Sequence, residues 1–323
     1  MRDDAATGPV TQASAPKAPG RPGREDARIF RRETLVVAGR GNLGRSLARA
    51  WRRAGHRVLL TPARHGVPSL VRALRSRPRA TVFLTVPDGA IASLAGEVAA
   101  ADGIPATVAF VHCSGALGLA PLAPLAARHD VGSFHPLQSF PQPRPPEAFR
   151  GSLVAIDARA SGLRRRLERL ARDLGAKPRG VEEADRVVYH AAAVFASNYL
   201  VALAGEAVEL LGTIGWNESE ALQGLIPLMQ GALDEVARRG PTAALTGPIR
   251  RGDVETVNRH LEALAGLDSG SPESKPRKAD LYRMLGQIAL EIAARAGLEP
   301  AAVGRVNRAL TRNVAATRRR RPR

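Results

Sequence analysis

Cysteine is almost missing from the 323 residues: Cys113 stands alone, which excludes an internal disulfide. No group of Cys and His has zinc-ligand spacing, so no metal is expected, and the cysteine usage fits a reducing, cytoplasmic setting. Lysine is scarce as well, with only Lys17, Lys177, Lys275 and Lys278 among 48 basic residues. Such arginine dominance is what a GC-rich coding bias produces. Acidic residues are absent from Thr34 to Pro87, an interval that contains 11 Arg. Residues 1–32 lack an apolar run and begin with Asp3 and Asp4 close to the start, unlike a signal peptide. They are expected to be a disordered leader, and 315–323 a basic disordered tail.

The net charge of +18 invites a polyanion as partner, but its distribution argues otherwise. Residues 1–33 carry +2 and 305–323 carry +8, while 34–150 carry +9 and 151–304 carry −1. The terminal TRRRRPR run has no interleaved aromatic residue or recognition motif, so it reads as a solvated tail and nucleic acid is not expected.

From Thr34 onward, short apolar runs alternate with helical stretches: 35–38, 58–60, 81–86, 107–112, 131–134 and 153–157. Runs apolar on both faces suit central strands covered by helices. Residues 33–182 are therefore expected to form an α/β domain with a doubly wound parallel sheet of Rossmann type. Residues 183–314 change to long helices, expected over about 184–211, 217–239, 253–264, 278–296 and 300–314, and read as an all-helical substrate and dimerisation domain. The apolar stretch 187–205 is long enough to raise a membrane span. Because His190 and Asn198 lie inside it and Glu206 and Glu209 follow, it reads instead as a buried helix, one that would suit a subunit interface. Residues 268–278 read as a polar loop.

Directly after the first run comes Gly39-Arg40-Gly41-Asn42-Leu43-Gly44, a full G-x-G-x-x-G between a strand and an amphipathic helix. In that context Gly39 allows the tight turn, Gly41 lets the backbone approach a pyrophosphate, and Gly44 lets the helix pack on the strand. A degenerate domain without its ligand is the competing account. The second strand ends in Thr61-Pro62-Ala63-Arg64 rather than in an acid. A carboxylate there would bond the ribose 2'-hydroxyl of NAD. Arg64 could instead pair with a 2'-phosphate, so NADP is expected; an exposed loop arginine is the plainer alternative.

Ligands of open α/β sheets bind beyond the carboxyl ends of the strands. Val86 and Pro87 follow the third strand and are expected over the cofactor, with Asp88 capping the next helix. His112-Cys113-Ser114-Gly115 follows the fourth, where Ser114 offers a hydroxyl and Cys113 reads as a packing residue. His135 at the end of the fifth strand either orients or protonates a substrate or shapes its loop. Gln138 and Ser139 either bind a substrate carboxylate or satisfy a turn.

GRGNLG, TVPDGAI, HCSGALG, FHPLQSF, YHAAAVFASNYLVAL and ALTGPIRRGDVETV, in that order, resemble the Rossmann-like proteins with a C-terminal helical domain of unknown function, the group numbered 2520. These are relatives of the 6-phosphogluconate dehydrogenase-like and ketopantoate reductase-like oxidoreductases. The resemblance covers about residues 33–265. It implies an NADP-type Rossmann domain joined to a helical domain, a homodimer, an active site between the domains, and Thr246 and Gly247 close to the cofactor. The arrangement is more distantly similar to pyrroline-5-carboxylate reductase, prephenate dehydrogenase and the 3-hydroxyacid dehydrogenases. The last group carries a catalytic lysine one turn before an asparagine. Asn198 fits that asparagine, but Val194 stands in the lysine's place and no lysine occurs from 178 to 274. His190, two turns before Asn198, is the substitute proton donor, with a buried structural histidine as the alternative.

These readings lead to an NADP-dependent reductase or dehydrogenase of a small 2-oxo acid, carbonyl or imine, with ketopantoate as the preferred substrate. His190, His135, Asn198 and Ser114 form its catalytic set, and Gln138, Ser139 and Thr246 touch substrate. A non-catalytic NADP-binding or sensing protein is the alternative.

Overall fold

The computed structural model describes residues 34–63, 67–268 and 277–312. The expected leader, the basic tail, Arg64 and most of the polar loop 268–278 lie outside the described residues. The chain divides into two compact units between Leu200 and Val201.

The first unit is a seven-stranded sheet in the order β2-β1-β3-β4-β5-β6-β7. The strands are β1 (Thr34–Ala38), β2 (Arg57–Thr61), β3 (Thr81–Leu84), β4 (Ala109–His112), β5 (Val131–Pro136), β6 (Leu153–Ala158) and β7 (Lys177–Gly180). Its helices are α1 (Asn42–Arg53), α2 (Val67–Arg75), α3 (Asp88–Ala99), the short α4 (Ala123–Ala126), α5 (Ser161–Asp173) and α6 (Arg186–Ala196). Side chains alternate across a strand, and both sides of this sheet are covered. Leu35 and Val37 join Trp51 of α1 and Leu167 of α5 in one core, whereas Val36 and Ala38 join Leu74 of α2 and Ile91 of α3 in the other. Trp51 anchors the first core: its ring lies 4.4 Å from Phe83, and its Nε1 donates to the Leu170 carbonyl at 3.2 Å. Because β2 and β3 flank β1, the chain reverses direction across the sheet at the carboxyl end of β1, where such sheets place their ligand.

Two features depart from an all-parallel sheet. β6 runs antiparallel to β5, while β7 is parallel to β6. A parallel return would need a crossover helix, and the connecting segment holds Pro141, Pro143, Pro145 and Pro146, which cannot supply one. β7, sequence KPRG, is an edge strand with three of its four residues exposed, so it lacks the apolar signature of the others.

α6 groups with the sheet, although the expected domain change precedes it. Its buried Arg186 donates to Ser133 Oγ in β5, which fastens its first turn to that strand. The helix expected over 184–211 is also divided. It breaks at Ser197, which has φ −121° and ψ −68°, and resumes as α7 (Asn198–Gly212). Serine and asparagine compete for backbone hydrogen bonds and weaken a helix at such a junction. Neither is the stretch buried within its own chain: Arg186 is the one buried residue of α6, and α7 has none. Among the described residues, Glu183–Gly212 is the one stretch long and apolar enough to cross a membrane.

The second unit continues with α8 (Glu218–Ala244), α9 (Gly247–Arg251), α10 (Val254–Asp268), α11 (Lys278–Arg295) and α12 (Pro300–Thr311). Asn217 and Glu220 close a reciprocal capping box at the start of α8. Gly240, at φ 74°, breaks that helix before Pro241. The buried core of this unit, with Val257, Leu261, Leu290, Val306 and Leu310, belongs to the later helices, and α8 buries only Ala221.

Candidate functional site

The turn between β1 and α1 gives each glycine a separate task. Gly39 adopts φ 131°, and a Cβ there would lie 2.6 Å from Thr85 Oγ1. Gly44 packs its Cα onto the turn: a Cβ would overlap the Gly39 carbonyl and lie 2.5 Å from Thr85 Oγ1. Gly41, in contrast, faces nothing within 4 Å. α1 starts with no side-chain cap, so its first backbone N–H groups are left for a ligand and the positive end of the helix dipole favours an anion. A tight turn, an open glycine and an uncapped helix start together fit a dinucleotide pyrophosphate. Leu43 packs against the core behind the turn, and Arg40 is exposed, its carbonyl accepting from Arg45 Nε at 2.8 Å. Asn42 has a use that its place in the motif does not reveal. Its Nδ2 donates to the carbonyls of Phe140 and Pro141 at 3.0 and 2.9 Å, tying down the proline-rich segment.

At the end of β2, Thr61 is buried and Pro62 and Ala63 carry no charge, while Arg64 lies outside the described residues. Val86 packs against the second core, and Pro87 precedes the first turn of α3.

Beyond β4 the expected free hydroxyl is already in use. Ser114 Oγ donates to Asp88 Oδ2 at 2.7 Å and accepts from the N–H groups of Ala116 and Leu117 at 3.2 and 3.1 Å. Ser114 thus folds the loop over the start of α3 and is not free to orient a substrate. Cys113 is buried in the first core, where desolvation pushes its thiol pKa upward, as suits a packing residue. His112, absent from the expected set, is fully buried. Its Nδ1 accepts from the Ser114 N–H at 3.2 Å and its Nε2 donates to the Gly118 carbonyl at 2.9 Å. Burial lowers its pKa to about 4 despite the Gly118 hydrogen bond.

This buried imidazole carries a pH signature. Between about pH 4 and 6.5 the unfolded chain takes up a proton at His112 that the folded unit refuses, so stability falls as pH drops through that window and is retained above it. By pH 5 the loss from this residue is expected to reach roughly 2 kcal/mol. Urea midpoints at pH 7 and pH 5, compared between wild type and His112→Gln, check it; an equal acid sensitivity of the two proteins would contradict the assignment.

His135 belongs to β5 itself, paired opposite Ala155 of β6. Its Nδ1 lies 2.8 Å from Tyr189 Oη on α6, and its ring is 6.0 Å from that of His190. Burial, then the neighbouring His190 and Arg186, lower its pKa to about 4, while burial raises Tyr189 to about 12. Tyr189 therefore stays protonated and His135 uncharged at neutral pH. His190 Nδ1 is buried and has no hydrogen-bond partner, and the same holds for Nε and Nη1 of Arg186. Two expected residues, His135 and His190, are thus brought together. Three that sequence reasoning missed, Gly115, Arg186 and Tyr189, surround them. Tyr189 adjoins His190 in the chain and was legible as its neighbour, but nothing local distinguishes Arg186 among so many arginines.

Other expected contacts are not formed. Asn198 is exposed beyond the break at Ser197, which ends the helix face it was expected to share with His190. Gln138 is exposed and serves its own loop, donating to the Ala148 carbonyl at 3.1 Å and accepting from the Ser139 N–H at 2.8 Å. Ser139 is exposed, and its carbonyl accepts from Arg144 at 3.2 Å. Thr246 lies in the second unit, where it precedes α9 and lines a cleft with Arg239, Gly247, Arg250 and Glu299. Among the described residues no group of His, Cys, Asp and Glu could hold a metal ion.

Residues 152–289 match the family model described as a domain of unknown function, DUF2520. Among solved structures, the "putative NADP oxidoreductase BF3122" of Bacteroides fragilis has a TM-score of 0.63 at 23% identity, covering 80% of this chain and 98% of its own. Protein TM1727 of Thermotoga maritima gives 0.60 at 22%, covering 81% and 98%. The NADP-bound pyrroline carboxylate reductase of Plasmodium falciparum gives 0.50 at 10%, covering 86% and 100%. No curated protein matches the sequence. The shared feature is the fold: a Rossmann-like sheet followed by helices.

Proposed function

We propose that this chain, which carries the DUF2520 domain, is an oxidoreductase that binds NADP and acts on a small 2-oxo acid, carbonyl or imine, or on the reduced form of such a compound. The observation that carries the reading is the glycine turn, where Gly44 is locked onto Gly39 while Gly41 stands open before an uncapped helix start. The turn and the first N–H groups of α1 would hold the pyrophosphate. The lack of any acid from Thr34 to Pro87 suits a 2'-phosphate, which Arg64 would pair. When bound, the nicotinamide supplies the hydride chemistry. His190 and His135 exchange the substrate's proton, with Tyr189 orienting His135. A ketopantoate-type acid is the preferred substrate by analogy with related two-domain reductases.

A second copy of the chain is the proposed cover for the apolar side chains that the helices leave exposed, among them Val201, Ile226, Leu228 and Met284. Lipid is the less suitable cover, because Lys278 Nζ pairs with Glu206 and Glu209 at 2.7 and 2.9 Å on α7 and the break at Ser197 interrupts the apolar stretch. Light scattering is expected to return twice the chain mass, and a monomer without detergent would refute the proposal.

Fluorescence titration with NADPH and NADH, followed by a panel of 2-oxo acids and cyclic imines, tests the function. NADPH should bind at least about tenfold tighter than NADH, a difference of about 1.4 kcal/mol, and one panel member should turn over. Tighter NADH binding would overturn the choice of cofactor. NADPH binding without any turnover would favour the sensing reading.

A further inference from the structure

The oxidoreductase reading assigns proton exchange to two histidines but does not say what they bind. The local geometry is more specific. A Cβ built on buried Gly115 would lie 2.8 Å from His135 Nε2 and 2.8 Å from His190 Nδ1. The two nitrogens are therefore within about 5.6 Å of each other, a span that one oxygen hydrogen-bonded to both can bridge. The loop that presents Gly115 is held from both sides: Ser114 binds Asp88 and the following N–H groups, and Glu183 packs against Gly118. Any side chain at position 115 would intrude between the imidazoles.

We infer that His135 Nε2 and His190 Nδ1 form a two-imidazole cradle for the hydroxyl of a small alcohol, and that Gly115 keeps the cradle open. The proton arrangement supports a hydroxyl over a carbonyl. Tyr189 keeps its proton and can donate to His135 Nδ1 at 2.8 Å, which leaves the His135 proton on Nε2, pointing toward the gap. His190 Nδ1, buried and unpartnered, then serves as acceptor. A hydroxyl accepts from the first and donates to the second, satisfying both. A ketone oxygen has no proton to give and leaves His190 Nδ1 unsatisfied, a buried loss of the kind that sites discriminate against. The guanidinium of buried Arg186, whose Nε and Nη1 are unpaired, lies near His135 and helps to keep that imidazole uncharged, so that its one ring proton is the one on Nε2.

This inference rests on the oxidoreductase reading only for the chemistry that follows binding; the cradle itself needs no cofactor. The test is long-range imidazole 15N NMR on the full chain without nucleotide, titrated separately with 2-propanol, glycolate and acetone. 2-Propanol or glycolate is expected to shift the His135 and His190 resonances together, with acetone binding about tenfold more weakly or not at all. Gly115→Ala should weaken the alcohol response about tenfold or more while the chain retains its circular dichroism. If that variant does not fold, His190→Ala should leave His135 unresponsive to the same probes. Rings that ignore both alcohols, a response to acetone equal to that to 2-propanol, or an unchanged response in the variants would overturn the cradle. Failure of NADPH to bind while both rings respond would sink the cofactor reading and leave the cradle standing.

Discussion

Gly44→Ala is expected to lower the melting temperature by roughly 6–12 °C and to abolish NADPH binding. The added methyl meets backbone on one side, the Gly39 carbonyl, and on the other the half-buried Thr85 hydroxyl at 2.5 Å, which is hydrogen-bonded to the Gly39 carbonyl, and neither is the free end of a flexible side chain. Relief requires α1 to move off β1, which would disturb the packing of Leu47 and Trp51 in the first core. Overpacking of this kind costs about 3 kcal/mol, and for a unit of this size each kcal/mol corresponds to about 2–4 °C. Gly41→Ala provides the contrast. Its φ of −66° is ordinary for alanine and nothing lies within 4 Å, so its melting temperature should match wild type. Its NADPH affinity should nevertheless fall about tenfold or more, because the methyl stands where the backbone has to approach a phosphate. Differential scanning fluorimetry and NADPH titration of both variants separate the two roles. Equal effects of the two substitutions on stability would refute them.

His190→Ala is expected to lower kcat for the substrate found by the panel by about 10²- to 10⁴-fold, with NADPH affinity unchanged. His135→Ala should fall in the same range, since the two rings lie 6.0 Å apart and face one glycine. If they act as a unit, the double variant should be little worse than the poorer single one, because removal of one member already disables the pair. Multiplicative losses would mean independent roles. Tyr189→Phe removes only the hydroxyl that lies 2.8 Å from His135 Nδ1, so it releases the His135 tautomer while retaining the ring. Its expected signature is a changed pH dependence of kcat with a smaller loss, which a merely structural tyrosine would not produce. An unaltered pH profile would remove Tyr189 from the mechanism.

The glycine turn between β1 and α1 was legible because its requirements are local: a strand, three glycines at fixed spacing and an amphipathic helix all lie within residues 34–53. The strands apolar on both faces announced a sheet covered on two sides, whereas the antiparallel turn of β6 follows from Pro141 to Pro146, which leave no room for a crossover helix. β7 was hidden because KPRG is polar and lies at an edge. Ser114 and Gln138 depart from their expected roles for a common reason. Such side chains advertise binding capacity in the sequence, but a loop must satisfy its own backbone first, and these two, like Asn42, are consumed in doing so.

The sequence by itself therefore determined the fold class, the order of sheet and helices, and the place of the glycine turn. Periodicity and glycine spacing act over a few residues, and no distant partner is needed to express them. Only the tertiary structure decided which histidines meet. His135 and His190 are more than fifty residues apart and come together because β5 and α6 are pinned at Ser133 and Arg186. It also decided that Asn198 leaves their face. That convergence, and the room that Gly115 leaves between the rings, depends on packing between segments remote in the chain, which residue order alone does not encode in any readable pattern.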